Sequence, residues 1–134
     1  YLEHAGHYYT FSHYPDLFNK AVDPGDFDTL DGCTYALDIS RPLGQRVVDL
    51  KFQGQPVKED QTFTMAITSH RLSGGGGFLE AIHFKGEAEL LNPTPLRNLL
   101  FERVLGQPSL SVPLASNWRI IPALDRERVL AQSK

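Results

Sequence analysis

The amino-acid sequence predicts an α+β domain with a mixed β-sheet and flanking helices. Four runs are rich in β-branched and aromatic residues and are bounded by turn residues, at 34–39, 46–52, 61–69 and 117–121. These predicted strands outnumber the predicted helices and do not alternate with them, which argues against a doubly wound parallel sheet. The chain has 134 residues, of which 41% are hydrophobic, so it is long enough to bury the core of one domain.

The first half of the chain supplies one helical segment and most of the sheet. Residues 1–6 are helix-forming but follow no capping residue, so we expect them to be the end of a helix that starts upstream. Several prolines and glycines interrupt 11–32, which predicts a loop. The first two strands follow, and the sequence Gly-Gln-Pro at 54–56 predicts a turn before the third strand.

The second half of the chain supplies two helices and the last strand. Residues 78–82 predict a short helix directly after a run of four glycines. Thr94 as the N-cap and Pro95 as the first helical residue predict an amphipathic helix over 95–105, because its leucines recur at helical spacing.

Composition narrows the class of protein. The net charge of −3 argues against a general nucleic-acid binder, because phosphate backbones require a basic surface. No apolar run approaches the length of a membrane span. The single cysteine, Cys33, cannot form an internal disulfide, and its place in a predicted strand indicates a core residue. We assign 1–122 to one domain that lacks its first part, and 123–134 to a charged tail.

Four consecutive glycines follow the third predicted strand, in the sequence TSHRLSGGGGF at 68–78. Ordering four glycines costs backbone entropy, so an ordered loop of this kind indicates that something approaches the main chain closely. The loop is neither a P-loop nor a Rossmann turn, because the Lys-Ser/Thr of the first and the glycine spacing of the second are missing. A flexible surface loop and a loop that admits a flat ligand both remain open.

His70 and Arg71 end the third predicted strand, immediately before the glycines. Because side chains alternate across a strand, we expect the two to point to opposite faces, one towards a ligand and the other towards the loop. A histidine that ends a strand without binding any ligand remains an alternative.

Two other groups of residues have the composition of metal ligands. His4 and His7 are three residues apart at the end of the first predicted helix, with His13 beyond them, but no carboxylate or cysteine stands at a matching spacing. Four aspartates occur within DPGDFDTLDG at 23–32, but this segment lacks the order of an EF-hand loop. Aspartate and glycine in such a segment are typical of turns, so no metal site is predicted in this chain.

Several segments, in this order, together resemble one known family. YLEHAG at 1–6 resembles the end of a helix, DFDTLDGCTY at 26–35 the F-D-x-x-D-G-x-x-Y start of a strand, and DISRPLGQRV at 38–47 the pattern D-[IL]-S-x-P-x-G-x-R-[IV]. Residues 62–78 resemble a base-binding strand and loop, and NWR at 117–119 resembles the closing strand. The chain is thereby identified as similar to the C-terminal domain of the 5′-nucleotidases, in particular the bacterial 2′,3′-cyclic-nucleotide 2′-phosphodiesterase/3′-nucleotidases.

This resemblance implies the substrate-specificity domain of a two-domain phosphoesterase. A separate N-terminal calcineurin-like metallophosphoesterase domain would hold two divalent metal ions and hydrolyse the nucleotide, so no catalytic residue, metal ligand or cofactor is expected in this chain. The base would lie between two aromatic rings, one at the position of His70 and the other upstream of this chain. The implied substrate-binding residues are His70, Arg71, Gly74, Gly75, Gly76, Gly77 and Phe78.

Two positions depart from the family pattern. The stacking residue is usually Phe or Tyr, so His70 is expected to stack more weakly and in a pH-dependent way. The 5′-nucleotidases carry an aspartate that holds the ribose hydroxyls at the position of Gly76. Its absence predicts room for a substrate phosphorylated or cyclised at the 2′ or 3′ oxygen, where a carboxylate would repel the phosphate.

Two hypotheses about function follow. In the first, the chain belongs to a periplasmic, secreted or cell-wall-associated bacterial nucleotidase or cyclic-nucleotide phosphodiesterase, has a nucleotide and the catalytic domain as its partners, and hydrolyses nothing alone. In the second, it is a non-catalytic nucleotide- or sugar-binding module, which the histidine at position 70 favours. A purely structural domain is a further alternative.

Overall fold

The computed structural model describes residues 1–10, 17–107, 109–111 and 116–122. The chain divides into two compact units. The first consists of Tyr1–Phe84 and Ser116–Lys134, and the second of Lys85–Ala115. The predicted charged tail at 123–134 and the histidine at position 13 lie outside the described residues.

A four-stranded mixed sheet forms the centre of the first unit. Its strands lie in the order β3, β2, β1, β4, and they are β1 (Cys33–Asp38), β2 (Val47–Phe52), β3 (Gln55–Pro56) and β4 (Trp118–Ile121). Strand β1 pairs antiparallel with β2 and parallel with β4, and β2 pairs antiparallel with β3. The predicted α+β class with a mixed sheet is therefore confirmed.

The core is built around β1, the strand with a neighbour on each side. Three consecutive residues of β1, Tyr35, Ala36 and Leu37, are at most 1% exposed, so both faces of this strand are covered. Cys33 at the start of the strand also belongs to the core cluster, as predicted for a small apolar residue.

A short helix at the N-terminus is fastened to the sheet by polar contacts. Helix α1 (Leu2–Ala5) continues into a 3₁₀ turn (Gly6–Tyr8), in agreement with the predicted helix end. The carboxylate of Glu3 accepts the main-chain N–H groups of Arg46 at 3.0 Å and Val47 at 2.7 Å. The buried guanidinium of Arg46 donates to the carbonyl of Gly6 at 2.8 Å. These bonds place α1 at the start of β2.

The prediction of a third strand over 61–69 is wrong. The residues from 62 to 67 carry no regular secondary structure, and in the part of the chain that the structure describes they make no main-chain hydrogen bonds. Phe, Thr and Ile favour strands only where a neighbouring strand completes the ladder, and no described strand pairs with these residues. The segment instead leads into helix α2 (Ser69–Leu72) and, after the glycines, helix α3 (Phe78–Ala81), which confirms the predicted short helix.

The second unit contains one long helix, α4 (Leu96–Leu105), close to the predicted range. Its N-cap is Pro95 rather than the predicted Thr94, and the N–H of Thr94 donates to the Asn92 side chain at 2.8 Å in a turn before the helix. Five of its six apolar residues are exposed, and they are spread around the helix rather than confined to one face, so the amphipathic prediction is wrong. None of the described helices is both long enough and apolar enough to cross a membrane.

Candidate functional site

A cleft of about 440 Å³ opens on the first unit, beside the glycine run. Three parts of the chain line it: Tyr1, residues 28–30 before the central strand, and residues 65–68 together with His70 and Arg71. The cleft therefore joins the two segments that the sequence patterns single out, the aspartate-rich turn and the residues around the glycines.

His70 and Arg71 lie in the short helix α2, not at the end of a strand. The hydroxyl of Thr68 accepts a hydrogen bond from the main-chain N–H of Arg71 at 3.3 Å, so Thr68 is an N-cap that turns the chain into this helix. The expectation that the two side chains point to opposite faces of a strand is therefore wrong. Both residues line the cleft, but His70 is exposed whereas Arg71 is only 6% exposed.

The guanidinium of Arg71 ties three segments together. It forms a bidentate pair with Asp28, from Nε at 2.9 Å and from Nη2 at 2.7 Å, and it donates from Nη1 to Asp26 at 3.0 Å. It also donates to two main-chain carbonyls, those of Gly25 at 2.6 Å and Gly75 at 3.2 Å. The aspartate-rich turn and the glycine run are thus held to helix α2 by one side chain.

The pKa values follow from these contacts. The hydrogen bonds from Arg71 hold the pKa of the Asp28 carboxyl below its usual range, and the two aspartates raise the pKa of Arg71. The hydroxyl of Tyr1 donates to Asp28 at 2.6 Å, and burial together with this bond raises the pKa of that hydroxyl to about 12. All three groups therefore keep their ordinary charge at neutral pH, as an ionised pair and a neutral phenol.

The glycine run adopts a backbone that other residues disfavour. Gly74, Gly76 and Gly77 have φ values of +98°, +67° and +69°, in the left-handed region. These angles turn the chain sharply between helices α2 and α3. A compact, ordered turn of this kind replaces the flexible surface loop that the sequence left open.

The close approach that the glycines imply comes from the protein itself. A Cβ at Gly75 would overlap the ring of His70, and a Cβ at Gly76 would overlap the carboxylate of Asp26 and lie 2.6 Å from Nη1 of Arg71. The expectation that Gly76 leaves room for the 2′,3′ end of a substrate is thus corrected, because Asp26 and Arg71 fill that space.

Phe78 and His4 complete the support of the glycine run. Phe78 is fully buried, with the rings of Tyr1 and His4 each at 4.6 Å between centroids and Cζ of Arg71 4.4 Å above its face. Nε2 of His4 lies 2.7 Å from the carbonyl oxygen of Gly76, so a proton on this nitrogen donates to the glycine run. Phe78 is therefore a core residue, and it does not line the cleft.

The candidate metal ligands have other partners. Asp26 and Asp28 bind Arg71, and Asp23 accepts the main-chain N–H of Gly25 at 2.7 Å, which is a turn contact. Within the described ranges no group of three His, Cys, Asp or Glu side chains is placed to hold a metal ion. The two divalent ions that the resemblance implies therefore find no fitting ligand set among the described residues.

Comparison with known proteins decides the family. A protein-family model described as "5′-nucleotidase, C-terminal domain" matches residues 2–83, which is more than half of the chain. The chain belongs to this family. The matched range contains all of the cleft residues except Tyr1, together with helix α2 and the glycine run, and it confirms the resemblance found in the sequence.

Two curated proteins are similar to this 5′-nucleotidase C-terminal domain. The trifunctional nucleotide phosphoesterase protein YfkN of Bacillus subtilis is 26% identical over 120 residues, which cover 79% of this chain and 8% of YfkN. A 2′,3′-cyclic-nucleotide 2′-phosphodiesterase/3′-nucleotidase of Salmonella typhimurium is 32% identical over 62 residues, 37% of this chain and 10% of that protein. The domain thus spans a tenth or less of the length of either relative. No solved structure matches it.

Of the seven residues proposed to bind substrate, the structure places His70 and Arg71 in the cleft of this 5′-nucleotidase C-terminal domain. Gly74, Gly75, Gly76 and Gly77 shape the turn behind His70, and Phe78 lies in the core. Contact of any of these seven residues with a ligand stays a prediction, and Arg71, Gly75, Gly76 and Phe78 in addition have the packing and hydrogen-bonding roles described above.

Sequence reasoning indicated the segment that contains cleft residues 65–68 but missed Tyr1 and residues 28–30. Tyr1 and Asp28 join the site through contacts that span 27 and 43 residues of sequence, which no local pattern encodes. One signal in the sequence was available. The aspartates are clustered without the order of a metal site, and the chain also has an arginine next to the glycine run. Together these features indicate an internal ion pair.

Proposed function

We propose that this domain binds the nucleoside part of a nucleotide and serves as the substrate-specificity domain of a nucleotide phosphoesterase. The observation that carries the proposal is the cleft lined by His70 and residues 65–68, inside the range that the family matches. The names of both relatives, a nucleotide phosphoesterase and a 2′,3′-cyclic-nucleotide 2′-phosphodiesterase/3′-nucleotidase, support nucleotides as the ligand class.

The lining suits a flat, partly polar ligand. His70 offers an exposed ring, and a nucleobase stacks on an aromatic ring with about 1–3 kcal/mol. Gly75 lies directly behind this ring, so the fold restricts the positions that the ring can take. Leu30, Met65 and Ile67 add apolar surface. The main chain at 65–67 makes no hydrogen bond within the described part of the protein, so its N–H and C=O groups can meet the polar edge of a base.

Hydrolysis is assigned in this proposal to a separate part of the parent protein. An N-terminal metallophosphoesterase domain with two divalent metal ions would carry it out, and the domain described here would be inactive alone. The much greater length of both relatives supports this division. A second aromatic ring would come from the segment upstream of the helix at residues 1–6, and the parent protein would act in the periplasm, at the cell wall or outside the cell.

An NMR titration of the 134-residue chain with 3′-AMP and then 5′-AMP tests the binding role. We expect amide shifts centred on residues 65–75, and we expect His70→Ala to reduce them and His70→Phe to keep or enlarge them. His83→Asn serves as the control, because this exposed histidine does not line the cleft and has φ +50°, which asparagine tolerates. If neither nucleotide shifts these amides even at saturating concentration, the proposal is contradicted.

A non-catalytic nucleotide- or sugar-binding module is the second candidate. The imidazole at position 70, where the family pattern has a benzene or phenol ring, favours it. In this case ribose alone would shift the same amides as a nucleotide, and the parent protein would show no phosphoesterase activity with divalent metal ions. A parent protein that hydrolyses 3′-AMP and loses affinity for it on His70→Ala rejects the module.

A further inference from the structure

One uncharged stretch of the first unit leaves its main chain without partners. Residues 62–67, called the open segment below, carry no regular secondary structure, and among the described residues their N–H and C=O groups make no hydrogen bond. None of the six is buried, and none has a positive φ. Their main-chain groups are therefore available to a partner, as they are along the edge of a sheet.

The side chains of the open segment already alternate as they do in a strand. Met65 and Ile67 are half-buried, whereas Thr62, Thr64 and Ala66 are exposed. A period of two is the pattern of a strand with one face on the protein and the other in solvent. Pairing with another strand would therefore need little rearrangement.

Both ends of the open segment are fixed to the fold. The ring of Phe63 lies 5.2 Å, between centroids, from the ring of Phe52, the last residue of β2. Directly after the segment, Thr68 caps helix α2. A segment that is held at both ends loses less conformational entropy on binding than a free one.

The composition of this region favours pairing with a copy of itself. Residues 61–69 form the longest run in the chain without a charged residue, His, Gly or Pro. Six- to seven-residue segments of high β-propensity that lack charge, Pro and Gly are the ones that pair with identical segments of other chains. Two such segments bring no like charges together, and each needs the hydrogen-bonding groups that the other offers.

The named strands at the edges of the sheet, by contrast, carry features that discourage pairing. Strand β3 has only two residues, and one of them is Pro56. Strand β4 has four residues, contains Arg119 and is followed by Pro122. Short length, charge and proline are the usual protection of a sheet edge, and the open segment has no charge and no proline.

We infer that the open segment is an interaction surface that pairs antiparallel with the same segment of a second copy of this chain. A two-fold axis lets two identical segments satisfy each other. In the register that opposes Met65 to its own copy, Thr64 lies opposite Ala66 and Phe63 opposite Ile67. Small or polar side chains then share one face of the two-stranded ribbon, and large apolar ones share the other.

This dimer goes beyond the proposed function and does not rest on it. Alternate residues of a strand direct their N–H and C=O groups to opposite edges, so pairing along one edge leaves the other edge free for a ligand. A ribbon of about six residues per chain lies below the roughly 1,200 Å² of stable interfaces, so we expect a weak, concentration-dependent dimer.

Sedimentation equilibrium of the 134-residue chain tests the dimer, over concentrations from about 5 µM to about 1 mM. We expect monomer at the low end and dimer at the high end. Amide hydrogen exchange of the same samples locates the contact. Alternate amides of the open segment should exchange at least about threefold more slowly at the high concentration, with no change in β1 and β2.

Thr64→Pro and Met65→Pro are a matched pair of variants. Proline removes the N–H group, and neighbouring residues direct this group to opposite edges. The fold uses neither N–H, so both variants should fold. We expect one of them to weaken the dimer at least about tenfold and the other to change it less than about threefold. Ala88→Pro is the control, because this exposed residue also makes no main-chain hydrogen bond within the described ranges.

The possible outcomes separate clearly. A dimer that protects alternate amides and is lost with one of the two variants, but not with Ala88→Pro, supports the inference. A monomer at every concentration overturns it, whether the open segment exchanges freely or is protected by another part of the same chain. A dimer that both variants leave intact uses another surface and also overturns it. If a proline variant fails to fold, exchange of the wild type decides alone, and none of these outcomes affects the nucleotide titration.

Discussion

Replacing Arg71 by methionine tests whether one side chain organises the cleft. The change removes all five donors and leaves Asp26 and Asp28 without their cation. Breaking a buried ion pair by removing one partner costs about 3–5 kcal/mol, but the aspartates are 32% and 25% exposed and can be partly rehydrated. We therefore expect the free energy of unfolding of Arg71→Met to fall by about 3 kcal/mol.

Urea unfolding measures this difference directly. The chain has one tryptophan, Trp118, which lies in β4 with its ring stacked at 6.2 Å on Tyr35 of the core, so its fluorescence reports on unfolding of the first unit. Arg119→Met is the matched control, because its ion pair with Asp49 is 61% exposed on both sides and should contribute less than about 1 kcal/mol. Equal destabilisation by the two variants would refute the role assigned to Arg71.

The difference in unfolding free energy between wild type and Arg71→Met should also depend on pH. The pKa of Asp28 is lowered in the folded state, so its contribution is present above the usual carboxyl pKa of 3.8 and is lost as the pH falls through the lower folded value. The gap in unfolding free energy between wild type and Arg71→Met should therefore narrow as the pH falls from 7 to below about 3. A gap that stays constant over this range argues that packing on Phe78, not charge, is what Arg71 contributes.

Two further substitutions test the turn and the core. Gly76→Ala should destabilise by about 1–3 kcal/mol more than Gly44→Ala in urea unfolding, because both positions have positive φ but only Gly76 has side-chain atoms where a Cβ would lie. Equal losses would mean that backbone conformation alone explains the glycine at 76. Phe78→Ala should cost about 3–5 kcal/mol and Phe63→Ala about 1 kcal/mol or less, since Phe78 is fully buried and Phe63 is 43% exposed. A stable Phe78→Ala variant with impaired nucleotide binding would instead make Phe78 a ligand contact.

Local sequence patterns determined much of the fold. β1, β2 and β4 start or end within a residue or so of the runs of β-branched and aromatic residues, and α3 and α4 follow the predicted helices closely. The family also follows from the order of short motifs along the chain. These features depend on residues a few positions apart, which is the range over which propensity, turn chemistry and periodicity act.

Tertiary structure decided what those patterns left open. Residues 62–67 have the composition of a strand but pair with no other strand. The hydrogen bonds of a β-sheet form only between two paired strands, so this segment stays irregular. The roles of Arg71 and of the glycines depend on Asp26 and Asp28, which are 43 to 45 residues away from Arg71 in sequence. The sequence alone leaves the partners of the arginine beside the glycine run open. Its five donors were assigned only when folding brought the aspartate-rich turn against it, because hydrogen bonding and charge neutralisation depend on distance in space.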